Sequence, residues 1–217
     1  MSAVYAFATS SHGLTNDRGR VQEDRWAGGQ NWHGAYVVVA DGITHGRDSH
    51  NAATVAVTTV VGALVATDLQ ESAVFNAVLL AHRAVAPWYA DGSAGGTTLA
   101  VATLTAERIV AASVGDSVVL TDDDTGHLRQ VNPQPETGPL TEWIGQQGPI
   151  QPWLDSWPVS GPRTIAATSD GIDATGLLVA GSMPAAVIAA VLARRQGWTG
   201  DDACITVGRS FDTKWWR

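Results

Sequence analysis

The chain has 217 residues, a formal net charge of −8 and 45% hydrophobic residues. That length suits one domain over residues 1–217 with a sizeable core, and the acidic balance argues against a nucleic-acid or anionic-membrane surface. A single cysteine, Cys204, excludes a disulfide framework; a single lysine, Lys214, excludes both a Walker-type phosphate loop and a Schiff base in the core. The opening stretch MSAVYAFATSSHG lacks the basic and apolar regions of a signal peptide, and no apolar run reaches a membrane span, so a cytoplasmic location is expected.

In chain order, residues 4–9 read as a first strand, followed by a polar loop through Asp24. Residues 35–40 form a continuous apolar run of the kind buried on both faces. A helix is expected from Ser49 to about Ala66, capped by Asp48 or Ser49, and a second over roughly 70–86, stopped by Pro87. DGSAGG at 91–96 is a turn. Strands follow at 97–104, 108–114 and 117–121, and DDDTGH turns the chain into 128–131. The proline- and tryptophan-rich stretch 132–162 is expected to cross irregularly. Residues 163–169 read as a strand, 184–195 as a helix ended by Gly197, and 203–208 as a closing strand. Strands, two helices, strands, helix, strand is the order of an α+β layered fold with helices on sheets.

Acidic residues mark the predicted strand ends: Glu23-Asp24, Asp41-Gly42, Asp170-Gly171 and Asp201-Asp202, with Asp116 at a tight turn in SVGDSVVL. One Asp-Gly after a strand is ordinary turn chemistry. Several carboxylates gathered at one sheet end would repel each other unless a cation sat among them. Oxygen donors without His or Cys favour a hard ion, Mg²⁺ or Mn²⁺, over zinc. Glycine beside an aspartate also lets a backbone carbonyl approach an ion. The spacing suggests a two-metal site.

The order and wording of these motifs resemble the metal-dependent Ser/Thr protein phosphatases of type 2C. RVQEDRW is similar to the family's Asn-Glu-Asp motif, with Gln22 in the Asn place, and VVVADGITHG to its Asp-Gly-Met-Gly-Gly-His motif. GGTTLAVATLTAERIVAASVGDSVVL is similar to the Gly-Ser-Thr strand and Val-Gly-Asp-Ser turn. TIAATSDGID resembles the Ser-Asp-Gly motif and GDDACITVGR the closing Asp-Asn-x-Thr motif. The resemblance implies a four-layer α-β-β-α sandwich, two antiparallel sheets flanked by helices, around a binuclear Mg²⁺ or Mn²⁺ centre. In it Asp41 would bridge the two metals and the Gly42 carbonyl would bind one of them. Asp170 and Asp201 would complete the other metal's shell, and Glu23 and Asp24 would hold waters of the shells. Asp116, with Asp170, would form a third, weaker metal site. The implied chemistry is in-line attack of a metal-activated water on phosphoserine or phosphothreonine in proteins, without a phosphoenzyme, opposing a Ser/Thr kinase.

The chain departs from the family pattern in four places. Gly19 occupies the position of a phosphate-gripping arginine, flanked by Arg18 and Arg20, of which Arg20 is the expected substitute. His45, the expected proton donor to the leaving group, comes one residue early; a partnership with Asp48 at the helix start is the other reading. Ala174 replaces a further aspartate, with Asp173 beside it. GPLTEWIG is similar to the Leu-Thr-Arg-Ala-Leu-Gly segment, but the helical flap that precedes that segment in the family is missing.

Other chemistries fit less well. Gly115-Asp116-Ser117 could open a GDS-type esterase, yet no histidine follows His127 to supply a base. Cys204 and Arg209 are too close in sequence for a cysteine phosphatase, and Cys204 reads as core. His45 and His50 are poorly spaced for zinc. The serious alternative is a phosphatase-like regulatory or binding module that has lost turnover.

Overall fold

The computed structural model describes residues 5–14, 21–43, 48–89, 95–133, 140–194 and 202–213. Their strands are β1 Tyr5–Leu14, β2 Arg25–Gln30, β3 Gly34–Ala40, β4 Leu99–Thr105, β5 Arg108–Val114, β6 Val118–Asp122, β7 Leu128–Gln130, β8 Trp153–Pro158, β9 Thr164–Thr168 and β10 Ala203–Asp212. The helices are α1 Ser49–Leu64, α2 Glu71–Val85 and α3 Pro184–Arg194, with a 3-10 turn at Ala86–Tyr89 after α2. One sheet runs β1-β10-β9-β6-β7 and the other β2-β3-β4-β5-β8; every pairing is antiparallel. No described helix is long and apolar enough to cross a membrane.

Three apolar layers account for the stacking. Tyr36, Val38, Val101 and Val110 meet α1 and α2 on one side of the second sheet. Val37, Val39, Ala100 and Ile109 on its other face meet Ile165, Ala167 and Cys204 of the first sheet. Ala166, Ile205 and Val207 then carry Val187 and Val191 of α3. The result is the expected α-β-β-α sandwich. It explains why GAYVVVA is apolar throughout: alternate residues of β3 face helices and the partner sheet, so neither face sees water.

Two strands escaped the sequence pattern. β2, RWAGGQ, carries paired glycines that weaken any strand signal. Both are there for room: a Cβ at Gly28 would meet Thr206 Cγ2 at 2.8 Å, and one at Gly29 would enter the Tyr36 ring. β8, WLDSWP, lies inside the stretch expected to be irregular. It pairs only with β5 at the rim of its sheet, where the flanking prolines cost no ladder bond. β1 also outruns its expected end and pairs with β10 over all ten of its residues, through Leu14. Its polar second half reflects a half-exposed edge strand.

The start of α1 differs from expectation in detail. Asp48 stands in the left-handed region, at φ 59, and its carboxylate makes no capping bond. Ser49 Oγ instead donates to the Ile43 carbonyl at 2.7 Å, tying the helix start to the chain leaving β3. The last turn of α1 is closed from outside: Asn31 Nδ2 donates to the carbonyls of Leu64, Val65 and Thr67.

The turn from β5 to β6 carries the chain from one sheet to the other. Gly115 has φ +86, and a Cβ there would meet Thr98 Cγ2 at 2.8 Å. Asn132 pins the same turn, its Oδ1 accepting from Val119 N and its Nδ2 donating to the Ser117 carbonyl. Gly115→Ala is therefore expected to cost about 1–3 kcal/mol in urea unfolding, by positive-φ strain and overlap together. An unchanged midpoint would contradict this reading of the turn.

Candidate functional site

Antiparallel pairing brings one set of strand ends together. Asp24 precedes β2, Asp41 follows β3, Asp116 lies between β5 and β6, Asp170 follows β9 and Asp202 precedes β10. All five stand at the same end of the sandwich. Asp24 is 1% exposed, Asp202 5%, while Asp170 is open to solvent.

Backbone bonds fix these carboxylates. Asp41 N donates to Thr98 Oγ1 at 3.1 Å, and the Asp41 carbonyl accepts from Thr98 N and from Thr97 Oγ1, both at 2.8 Å. Thr98 Oγ1 in turn lies 2.6 Å from Ser117 Oγ beside Asp116. On the Asp24 side, Arg25 Nη1 donates to the carbonyls of Gln22 and Asp24, and its Nε reaches Thr54 of α1. Gln22 Oε1 accepts from Asp24 N, and Glu23 N donates to Asp202 Oδ2 at 2.9 Å. Gly42 has no room for a side chain, since a Cβ would meet the Glu23 carbonyl at 2.9 Å and Ser49 at 3.0 Å. The sequence pointed to the aspartates; it did not single out Thr97, Thr98, Ser169 and Arg25, although short hydroxyl side chains beside turns are frequent backbone partners.

The electrostatics follow from crowding in a dry place. Burial raises Asp24 from 3.8 to about 6, aided by the Asp202 charge and moderated by hydrogen bonds from Ser169 and Asp41. Asp41 is held well above the usual carboxylate range by burial first, then by the charges of Asp24 and Asp170. Asp116 is raised by burial and by Asp170. Asp41 and Asp24 perturb each other, each contributing to the other's shift. Asp24 Oδ2 is buried without any hydrogen-bond partner. An orphaned carboxylate oxygen among repelling carboxylates, with oxygen donors only, fits a hard divalent cation. Among the described residues, no three His, Cys, Asp or Glu side chains yet form a ready-made ion cage.

The protein phosphatase 2C family model matches residues 15–196. The chain belongs to the protein phosphatase 2C family. Solved structures agree in fold. The S. agalactiae serine/threonine phosphatase shares 19% identity at a TM-score of 0.74, with 95% of this chain and 99% of that one covered. The Mycobacterium smegmatis Ser-Thr phosphatase MsPP, in complex with cacodylate, shares 18% at a TM-score of 0.73, covering 95% and 98%. The catalytic domain of the phosphatase PstP in complex with 2 manganese ions shares 17% at a TM-score of 0.75, covering 96% and 100%. A search of curated proteins finds no match.

Several expectations for this family member fall outside the described residues: Arg18, Arg20, His45 and Asp201. Next to Asp201, it is Asp202 that is seen at the cluster, bonded to the Glu23 backbone. The rival nucleophiles do not suit their roles. Ser117 is fully buried, and Cys204 is fully buried with its thiol pushed up by that burial and by Asp24.

Folding raises Asp24 above its unfolded value, so the metal-free protein is favoured while that carboxyl keeps its proton. Stability is lost as pH rises from near 3.8 through about 6. By pH 7.5 the loss reaches on the order of 3 kcal/mol. In EDTA, Asp24→Asn should gain stability relative to the wild type between pH 4.5 and 7.5 in urea unfolding. A difference independent of pH would contradict the shift.

Proposed function

We propose that residues 1–217 act as one phosphatase domain that hydrolyses phosphoserine and phosphothreonine monoesters on proteins, with Mg²⁺ or Mn²⁺ as cofactor. The observation that carries this reading is the buried carboxylate cluster with Asp24 Oδ2 left unpartnered. Asp41, Asp170 and Asp201 would hold the ions with the Gly42 carbonyl, Glu23 and Asp24 would order their waters, and Asp116 would add a third, weaker position. When bound, the cations supply a nucleophilic water at neutral pH and neutralise charge on the phosphoryl group. The manganese ions in the PstP structure support that choice of cofactor.

The chain's own groups do the rest. Thr97 and Thr98 hold the Asp41 backbone so that its carboxylate has one orientation. Ser169 Oγ accepts from Cys204 N at 2.9 Å, linking the end of β9 to β10 beside Asp24. Arg20, with Arg18 beside it, would hold the phosphate oxygens, and His45 would protonate the departing serine or threonine oxygen. The substrates would be phosphoproteins made by a Ser/Thr kinase, met in the cytoplasm.

A regulatory module without turnover is the second reading. Gly19 in the arginine position and the missing flap favour it. Release of phosphate from p-nitrophenyl phosphate and a phosphothreonine peptide separates the two. Activity with Mn²⁺, abolished by EDTA and reduced at least about 100-fold by Asp41→Asn or Asp170→Asn, is the expected outcome. Tight Mn²⁺ binding without turnover would establish the regulatory reading; neither binding nor turnover would end both. Arg20→Ala should raise KM more than Arg18→Ala, and equal or reversed effects would remove Arg20 from the phosphate.

A further inference from the structure

The ladder that positions Asp41 continues past it. Gly42 bridges Thr97, Thr97 bridges Ile144, and Ile43 N donates to the Gly96 carbonyl at 3.1 Å. In extended chain, alternate side chains share a face. Asp41 and Ile43 therefore continue the face of Val37 and Val39, which looks toward the partner sheet. Gly96 and Thr98 continue the face of Ala100 in the same way. Ile144 packs into the helix-side core, so its neighbour Trp143 turns to the inter-sheet face. The geometry at Gly96 agrees: a Cβ there would meet Trp143 Nε1 at 2.9 Å and Ile43 Cδ1 at 3.1 Å. The missing side chain of Gly96 is the seat of the indole.

Trp143 and Ile43 are both part-exposed, so together they make an apolar wall on the face that carries Asp41. The wall is braced. Gly145 N donates to His82 Nδ1 at 3.2 Å, and His82 Nε2 donates to the Gly148 carbonyl at 2.9 Å, which anchors the segment to α2. Gln146 Oε1 accepts from Trp143 N.

We propose that Trp143 and Ile43 set substrate preference by receiving a bulky apolar side chain two residues from the phosphorylated residue of a peptide. The inference rests on the phosphatase reading of the acidic centre. An extended peptide whose phosphate lies at Asp41 carries its alternate side chains about 7 Å apart, the same period that separates Asp41 from Ile43. A phenylalanine or leucine two positions away then lies on the indole.

The test uses the 217-residue chain with Mn²⁺ and three phosphothreonine peptides that differ only in carrying Phe, Ala or Lys two positions from the phosphothreonine, with free phosphothreonine as a substrate too small to reach the wall. Turnover is read as kcat and KM, and binding of the same peptides by fluorescence anisotropy, so a protein that binds without hydrolysis still reports its preference. The wild type should favour the Phe peptide over the Ala peptide about tenfold through KM. Trp143→Ala should abolish that preference, leaving kcat and free phosphothreonine unchanged; Trp143→Phe should keep most of it and Ile43→Ala part of it. No preference in the wild type overturns the inference. So does an equal loss on every substrate in Trp143→Ala, and if that variant fails to fold, an undiminished preference in both Trp143→Phe and Ile43→Ala does the same. Absence of turnover with the preference intact in binding rejects the phosphatase reading and keeps the wall.

Discussion

Asp24 and Asp41 cannot both be ionised cheaply where the fold puts them. Asp41 ends β3, whose residues are all buried between layers, and Asp24 beside it is itself 1% exposed. Burial and the neighbouring charges push both carboxyls above their usual range, and Asp24 Oδ2 is left with nothing to accept from. Two buried like charges are strongly unfavourable at an effective dielectric far below that of water. A chain that carries them carries the repulsion as a standing cost, and a divalent ion among them turns that cost into affinity.

The surrounding structure keeps the carboxylates from drifting apart. Antiparallel order places the start of β2, the end of β3, the β5–β6 turn, the end of β9 and the start of β10 on one rim. Thr97 and Thr98, just before β4, hold Asp41 by the backbone, Ser169 takes the Cys204 N–H at the start of β10, and Arg25, tied to Thr54 of α1, grips the turn before β2. These bonds act on the main chain and spare the carboxylate oxygens for a ligand. The glycines at 42 and 96 matter by absence of volume: one lets Glu23 and Ser49 close in, the other seats Trp143.

Much of this was legible beforehand because buried strands announce themselves. β3, β4 and β5 are uninterrupted apolar runs, and the aspartates terminate them abruptly. What stayed hidden was set by tertiary demands. β2 reads as a non-strand because its glycines make space for Tyr36 and Thr206. β8 reads as loop because an edge strand tolerates prolines at its limits. Asp48 looked like a cap, but the helix start is instead tied through Ser49 to Ile43. Asp202, beside the expected Asp201, takes part by accepting from the Glu23 backbone, a partnership no sequence pattern announces.

The central claim is that the carboxylate rim exists to hold two cations around Asp41. Anomalous diffraction from crystals grown in Mn²⁺ tests it most directly. The account requires two peaks about 3.5–4 Å apart with the Asp41 carboxylate between them. An empty rim at saturating Mn²⁺, or an ion bound away from Asp41, would contradict it.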